Sequence, residues 1–190
     1  KINLLDCTLR DGGYYNNWFF ERELINEYLR VMDMIKIDYV EIGFRFLDKV
    51  KTKGPFAYSE ESFLRSLKIP KNLKIGVMVN ASDFVGQKNI IELAKKNFKP
   101  KKNSVISLVR LACHHHEVKD VLPLINWLKK SGYKVSVNIM QIPELSSREI
   151  KNTVKEVKKT KADILYFADS MGSLDAIKTK KIIHQIKSLW

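Results

Sequence analysis

The stretch Lys134-Val135-Ser136-Val137-Asn138-Ile139-Met140, followed after a short connector by Ser146-Ser147-Arg148-Glu149, decides the fold. Val135, Val137 and Ile139 alternate with Ser136, Asn138 and Met140, the two-residue period of a β-strand. Ser146 and Glu149 then stand at the spacing of a capping box, the start signal of a helix running to Thr160. Together they make one strand–helix unit. Its inward row is Ser136, Asn138 and Met140.

The same unit recurs in both directions along the chain. Strand-like runs fall at Ile2–Cys7, Tyr39–Phe44, Lys74–Val79, Val105–Leu111, Lys134–Met140 and Ile164–Ala168. Helix-like stretches lie between and after them, at about Glu21–Ile35, Ser59–Leu67, Gln87–Lys96, Glu117–Lys130, Ser146–Thr160 and Leu174–Leu189. Ser131-Gly132 reads as a helix stop. Strands alternating with helices at roughly thirty residues per unit imply a parallel sheet covered by helices.

Two architectures fit that pattern, an open doubly wound sheet and a closed (β/α)8 barrel. No Gly-x-Gly-x-x-Gly follows the first strand, so the dinucleotide-binding version of the open sheet loses its main support. Polar residues stand at the ends of nearly every strand: Arg10-Asp11, Arg45, Asn80, His114, Asn138, Gln141 and Asp169-Ser170. An open sheet gathers ligand groups at one switch point, whereas a barrel collects them from all its strands. The expected fold class is therefore α/β, a TIM barrel represented by about six βα units. Residues 1–190 are expected to be the N-terminal part of a single catalytic barrel domain whose last two units are absent. The six units would leave two sheet edges open.

Composition narrows the function classes. The 190 residues are 45% hydrophobic and 29% charged, ordinary for a globular domain. The net charge of +13 comes from lysines dispersed along helix faces rather than clustered with aromatics, so nucleic-acid binding is not expected. An anionic substrate would still benefit from the field. Cys7 and Cys113 have no metal-type spacing, which fits free thiols in a reducing, cytoplasmic setting. No apolar run reaches membrane-span length, no signal or transit peptide is expected, and the missing initiator Met suggests a trimmed start.

Several residues carry candidate chemistry. In Leu4-Leu5-Asp6-Cys7-Thr8-Leu9-Arg10-Asp11-Gly12-Gly13 an apolar strand runs into an arginine, a carboxylate and two glycines. Such a pair can hold a divalent metal on Asp11 while Arg10 neutralises an adjacent oxyanion, or it can be a strand-end ion pair before a glycine turn. Alternation places Glu41, Gly43 and Arg45 on one face of their strand and Val40, Ile42 and Phe44 on the other. A carboxylate facing a barrel interior needs a cation, and Arg10 one strand away is the expected partner of Glu41. Arg110, Ala112 and His114 share a face of the fourth strand. His114-His115-His116 reads as a histidine-rich rim loop rather than a metal centre. Asp169-Ser170-Met171-Gly172 ends the sixth strand, with Asp169 expected to cap the helix that begins near Leu174.

Together these residues resemble the DRE-TIM metallolyase superfamily. Thr8-Leu9-Arg10-Asp11-Gly12 is the most diagnostic stretch. Val40-Glu41-Ile42, Val109-Arg110-Leu111-Ala112-Cys113-His114 and Ala168-Asp169-Ser170-Met171-Gly172 support it in order along the chain. The last two are most like the 4-hydroxy-2-oxovalerate aldolase branch. The resemblance implies a divalent metal, Mn²⁺ or Mg²⁺, on Asp11, with Arg10 polarising a substrate carbonyl and Glu41 orienting Arg10. It also implies further ligands from a His-x-His pair on a seventh strand, which this chain does not contain and which His114 and His116 on the fourth strand do not replace, so a metal would be absent or weakly held. Where that branch has a proton-transfer histidine, this chain has Tyr14, and His114 is the substitute. Arg45, Arg110, Asn138, Asp169 and Ser170 are the expected substrate-binding residues. The implied activity is lyase cleavage of a 4-hydroxy-2-oxo acid to pyruvate and an aldehyde, in a possible homo-oligomer or beside a partner dehydrogenase. Condensation of an acyl-CoA with a 2-oxo acid, and a catalytically silent barrel used as a binding module, are the alternatives.

Overall fold

Strands and helices alternate throughout the computed structural model, which describes residues 2–190. The strands are β1 (Leu5–Asp6), β2 (Tyr39–Phe44), β3 (Lys74–Asn80), β4 (Ile106–Cys113), β5 (Lys134–Ile139) and β6 (Ile164–Phe167). The helices are α1 (Thr8–Asn16), α2 (Arg22–Met34), α3 (Glu61–Arg65), α4 (Ile90–Asn97), α5 (Val118–Lys130), α6 (Ser147–Lys158) and α7 (Ala176–Lys187). The parallel sheet runs β1-β2-β3-β4-β5-β6. A doubly wound sheet reverses its order at a switch point, whereas here each strand lies beside the next in sequence. That sequential order belongs to a barrel wall, and the fold is an incomplete (β/α)8 barrel of six units. Among the described residues no helix is long and apolar enough to cross a membrane.

The residues form two compact units, Lys1–Val79 with Lys96–Val109, and Asn80–Lys95 with Arg110–Trp190. In the first, α2 buries Ile25 and Leu29 one helical turn apart. These two, with Val40, Ile42, Leu64, Ile75 and Val77, are essentially solvent-free. Burying each such side chain is worth about 1.5–3 kcal/mol. In the second, α5 buries Val118, Val121, Leu124, Ile125 and Leu128, and β5 buries Val135, Val137 and Ile139. A satellite cluster of Ile142, Ile150, Val154, Ile182 and Ile186 packs against Leu165 and Phe167. The capping box forms as read: Ser146 Oγ accepts from Glu149 N, and Glu149 accepts from Ser146 N at 2.7 Å. Gly132 takes φ +94° just beyond α5.

Three local expectations are corrected. The first strand is only Leu5–Asp6, and the Thr8–Gly12 motif lies on α1, not at a strand end before a turn. Asp6 explains the switch, since its carboxylate takes Thr8 N at 2.9 Å and Thr8 Oγ1 at 3.2 Å. Asp11 N then bonds Cys7 O at 2.9 Å, the first helical rung. Gly13 does not turn the chain: a Cβ there would fall inside the Trp18 indole, so glycine is what lets α1 and Trp18 meet. Second, the helix expected at Ser59–Leu67 is only the short α3, and a separate 3-10 turn at Pro55–Ala57 precedes it. Third, α7 starts at Ala176 and is capped by Asp175, which accepts from Lys178 N at 2.7 Å, not by Asp169.

Candidate active site

In the first unit α1 presents Arg10, Asp11 and Tyr14, and β2 presents Glu41. Arg10 Nε donates to Glu41 Oε1 at 2.7 Å, and Arg10 Nη1 donates to Asp11 Oδ1. The Glu41 side chain is fully buried and that of Arg10 is 13% exposed, while that of Asp11 is 61% exposed. Burial alone would pull the Arg10 pKa down. Glu41, by charge and hydrogen bond, and Asp11 outweigh it, and the guanidinium sits above its ordinary value. Arg10 is thus a permanent cation held at two of its nitrogens.

An aromatic wall stands beside it. The Arg10 guanidinium carbon lies 6.0 Å from the Phe44 ring centroid. Tyr14 and Trp18 meet Phe44 edge-on at 6.0 and 5.6 Å, and Trp18 Nε1 donates to Arg10 O at 3.2 Å. Sequence alternation put Phe44 on the face away from Glu41. A β-bulge reverses that. Glu41 pairs with Gly76, but Gly43 pairs with Val77 and Phe44 with Met78, so the register slips between Glu41 and Gly43. One extra residue exchanges the faces for everything after it. Phe44 therefore joins Glu41.

Arg45 goes the other way. A Cβ on Gly43 would strike the carbonyl of Phe56, so this part of β2 faces the Pro55–Ala57 turn. Arg45 Nη2 reaches Glu61 Oε1 at 3.3 Å, Nη1 donates to Asn97 O, and the guanidinium lies 5.2 Å from the Phe98 ring. Glu41, Gly43 and Arg45 do not share a face, and Arg45 is not placed with Arg10.

Tyr14 stands one helical turn after Arg10 on α1. Burial pushes its pKa above the ordinary phenol value, and the opposing pull of Arg10 is smaller. It is a neutral phenol at physiological pH, able to donate a proton and unable to accept one.

The remaining candidates lie in the second unit. His114 follows β4, its N donating to Glu117 Oε2 at 2.7 Å and its ring stacked on His116 at 5.5 Å. His115 Nε2 sits 3.5 Å from Glu149 Oε1. Arg110 is buried, its guanidinium 5.2 Å from the Tyr166 ring, and Asn138 stands in register with Tyr166. Asp169 accepts Ser173 N at 2.9 Å and Leu174 N at 2.7 Å, and the amides of Leu174, then Ser173, hold its pKa low. It orders its own loop, and Ser170 beside it is exposed. The sequence reading missed Tyr166, although Leu165 and Phe167, which flank it, pack into an apolar cluster. By strand alternation that leaves Tyr166 on the other face.

The residues do not fit a resident metal. Asp11 is one carboxylate already engaged by Arg10, and among the described residues no three histidine, cysteine, aspartate or glutamate side chains come together. A zinc site takes three or four protein ligands, and a magnesium site one or two carboxylates completed by water and substrate, of which these residues offer Asp11, already held by Arg10.

No family model matches the chain. It is 26% identical over 191 residues to a 4-hydroxy-2-oxovalerate aldolase of Carboxydothermus hydrogenoformans, covering 99% of this chain and 54% of that protein. It is 20% identical over 172 residues to an oxaloacetate decarboxylase of Mycobacterium tuberculosis, covering 90% and 48%. The chain thus spans about half the length of these relatives. Among solved structures it superposes on the N-terminal domain of a Bacteroides vulgatus protein provisionally described as an aldolase. There the TM-score is 0.80 and the identity 26%, over 98% of this chain and 60% of that one. The carboxyl transferase domain of Rhizobium etli pyruvate carboxylase shares the fold, with a TM-score of 0.72 at 14% identity, covering 100% of this chain and 34% of that one. With the motif, the strand order and these relatives in agreement, the resemblance of this chain to the DRE-TIM metallolyase superfamily and its aldolase-like members is borne out.

Proposed function

We propose that this chain contributes the carbonyl-binding part of a carbon–carbon lyase acting on a small 2-oxo acid. The observation that carries the reading is the Arg10 guanidinium, pinned through Nε by Glu41 and through Nη1 by Asp11. Neither bond uses Nη2, the nitrogen this reading assigns to the substrate's 2-oxo oxygen. A donor fixed in place beforehand stabilises charge that develops in the transition state without reorganising. In a retro-aldol cleavage a base removes the 4-hydroxyl proton and the C3–C4 bond breaks to release the aldehyde. The electron pair moves through C2–C3 onto the C2 oxygen opposite Arg10, and protonation at C3 gives pyruvate.

A second reading is decarboxylation of a 3-carboxy-2-oxo acid, and the state of Tyr14 favours it. That reaction breaks the bond to CO₂ and leaves the same enolate, so no hydroxyl proton has to be taken. A neutral phenol beside the cation can then supply the proton at C3. The relatives carry one name for each reaction. Pyruvate release from 4-hydroxy-2-oxo acids and from oxaloacetate, followed with and without Mn²⁺, separates the two. Arg10→Ala should lower kcat by about 10²–10³, the usual effect of losing one such donor. Absence of pyruvate from both substrate classes sinks the proposal.

A further inference from the structure

Outside the Arg10 region the first unit holds a pocket of about 320 Å³ that no step above uses. Arg45, which follows the register shift in β2, enters it from the side of α3. Phe46, Leu47 and Phe98 line it with apolar surface, and Lys49, Lys96 and Lys99 join Arg45 on its wall. Two carboxylates, Glu60 and Glu61, also reach it. Both are engaged: Glu60 pairs with Lys49, and Glu61 accepts from Ser104 Oγ, from Val105 N at 3.0 Å and from Arg45. Four cations against two occupied carboxylates leave the wall positive. Apolar lining next to such charge weakens screening by water and strengthens the field inside. The volume suits a small metabolite rather than a polymer segment.

We propose that this pocket is an anion site, separate from the Arg10 centre, that takes a small molecule bearing a dianionic group, a phosphate monoester or a dicarboxylate. Arg45, held by Glu61 and Asn97 O, is its buried anchor, and Lys96 and Lys99 form its entrance.

The test uses the intact chain with inorganic phosphate, pyrophosphate and malonate as probes, followed by calorimetry and by NMR shifts of the Arg45 side chain and the Lys99 amide. Saturable binding that moves those resonances is expected. Lys96 and Lys99 are exposed, so the Lys96→Glu/Lys99→Glu variant should fold and should bind about tenfold or more weakly, as two charge reversals at contact range imply. The control is Lys151→Glu/Lys180→Glu, which changes net charge equally in the second unit and should leave binding intact. A preference for phosphate or for malonate identifies the ligand class, and either supports the site. No binding, shifts elsewhere, or equal losses in the two variants overturn it.

Discussion

Replacing Glu41 by glutamine tests whether the Arg10 cation is held by a buried charge or by surface geometry. The side chain keeps its shape and one acceptor but loses its charge, so Arg10, 13% exposed, is left with the exposed Asp11 as its charged partner. Removing one partner of a buried pair costs about 3–5 kcal/mol, and a retained neutral hydrogen bond returns about 1 kcal/mol of that. The expected loss is therefore roughly 2–4 kcal/mol, or a fall in Tm of about 4–16 °C for a chain of this size. Asp11→Asn changes a carboxylate that is 61% exposed, and exposed pairs are worth about 0–1 kcal/mol. Urea unfolding of both variants beside the wild type makes the comparison. The Arg10→Met/Glu41→Leu variant completes it, since replacing both charges by apolar groups of similar size is often neutral. It should be nearly as stable as wild type while releasing no pyruvate. Equal losses from Glu41→Gln and Asp11→Asn would refute the reasoning, because burial would then not govern the pair.

Three further outcomes are expected. Gly13→Ala gains about 1 kcal/mol of helix propensity yet places a methyl inside the Trp18 indole, and overpacking costs about 1–3 kcal/mol. Net destabilisation with altered tryptophan fluorescence is expected. Ser146→Ala removes the cap of α6 and should cost about 1 kcal/mol in thermal unfolding. The same hydrogen bonds from Ser146 hold the Glu149 pKa low. Because that folded pKa is depressed, the Glu149 contribution is present above the ordinary carboxylate value near 4.3 and is lost as pH falls through the depressed one. The variant should therefore differ less from wild type in acid. Tyr14→Phe should abolish any alkaline fall in oxaloacetate turnover, because a phenol with a raised pKa donates its proton only below that pKa. An unchanged alkaline limb would show that another group supplies the proton.

The sequence made β2 legible residue for residue, because Tyr39–Phe44 is an aromatic and β-branched run. The Arg10–Glu41 pair was legible too, since a carboxylate on a buried strand demands a cation. The faces beyond Ile42 were not. Alternation assumes a constant period, and a single inserted residue breaks it without changing composition. The isolated Gly43 was the available signal, since glycine inside a strand marks a bulge or a close backbone approach. Helix α1 was illegible for a different reason. Two consecutive glycines argue against a helix on propensity, and what overrides them is the tertiary contact with Trp18, five residues away in sequence. Likewise, Asp169 and Asp175 both stand where a cap could form. Only the backbone of the Met171–Leu174 loop decides that the first orders the loop and the second caps α7.

The bulge gives β2 two charged faces with different uses. Before it, Glu41 turns toward α1 and takes Arg10; after it, Arg45 turns toward α3 and takes Glu61. Both pairs are largely withdrawn from water, and neither arrangement is the cheapest way to fill its space, since apolar residues pack without a desolvation penalty. A regular strand would have put Arg45 beside Glu41, where it would compete with Arg10 for the same carboxylate. The register slip removes that competitor and supplies Phe44 in its place. An aromatic ring gives the guanidinium a face to rest on and leaves its nitrogens available for oxygen ligands. The slip thus keeps the Arg10 cation matched to one buried carboxylate while opening a second, separately anchored cationic surface on the opposite side of the same strand.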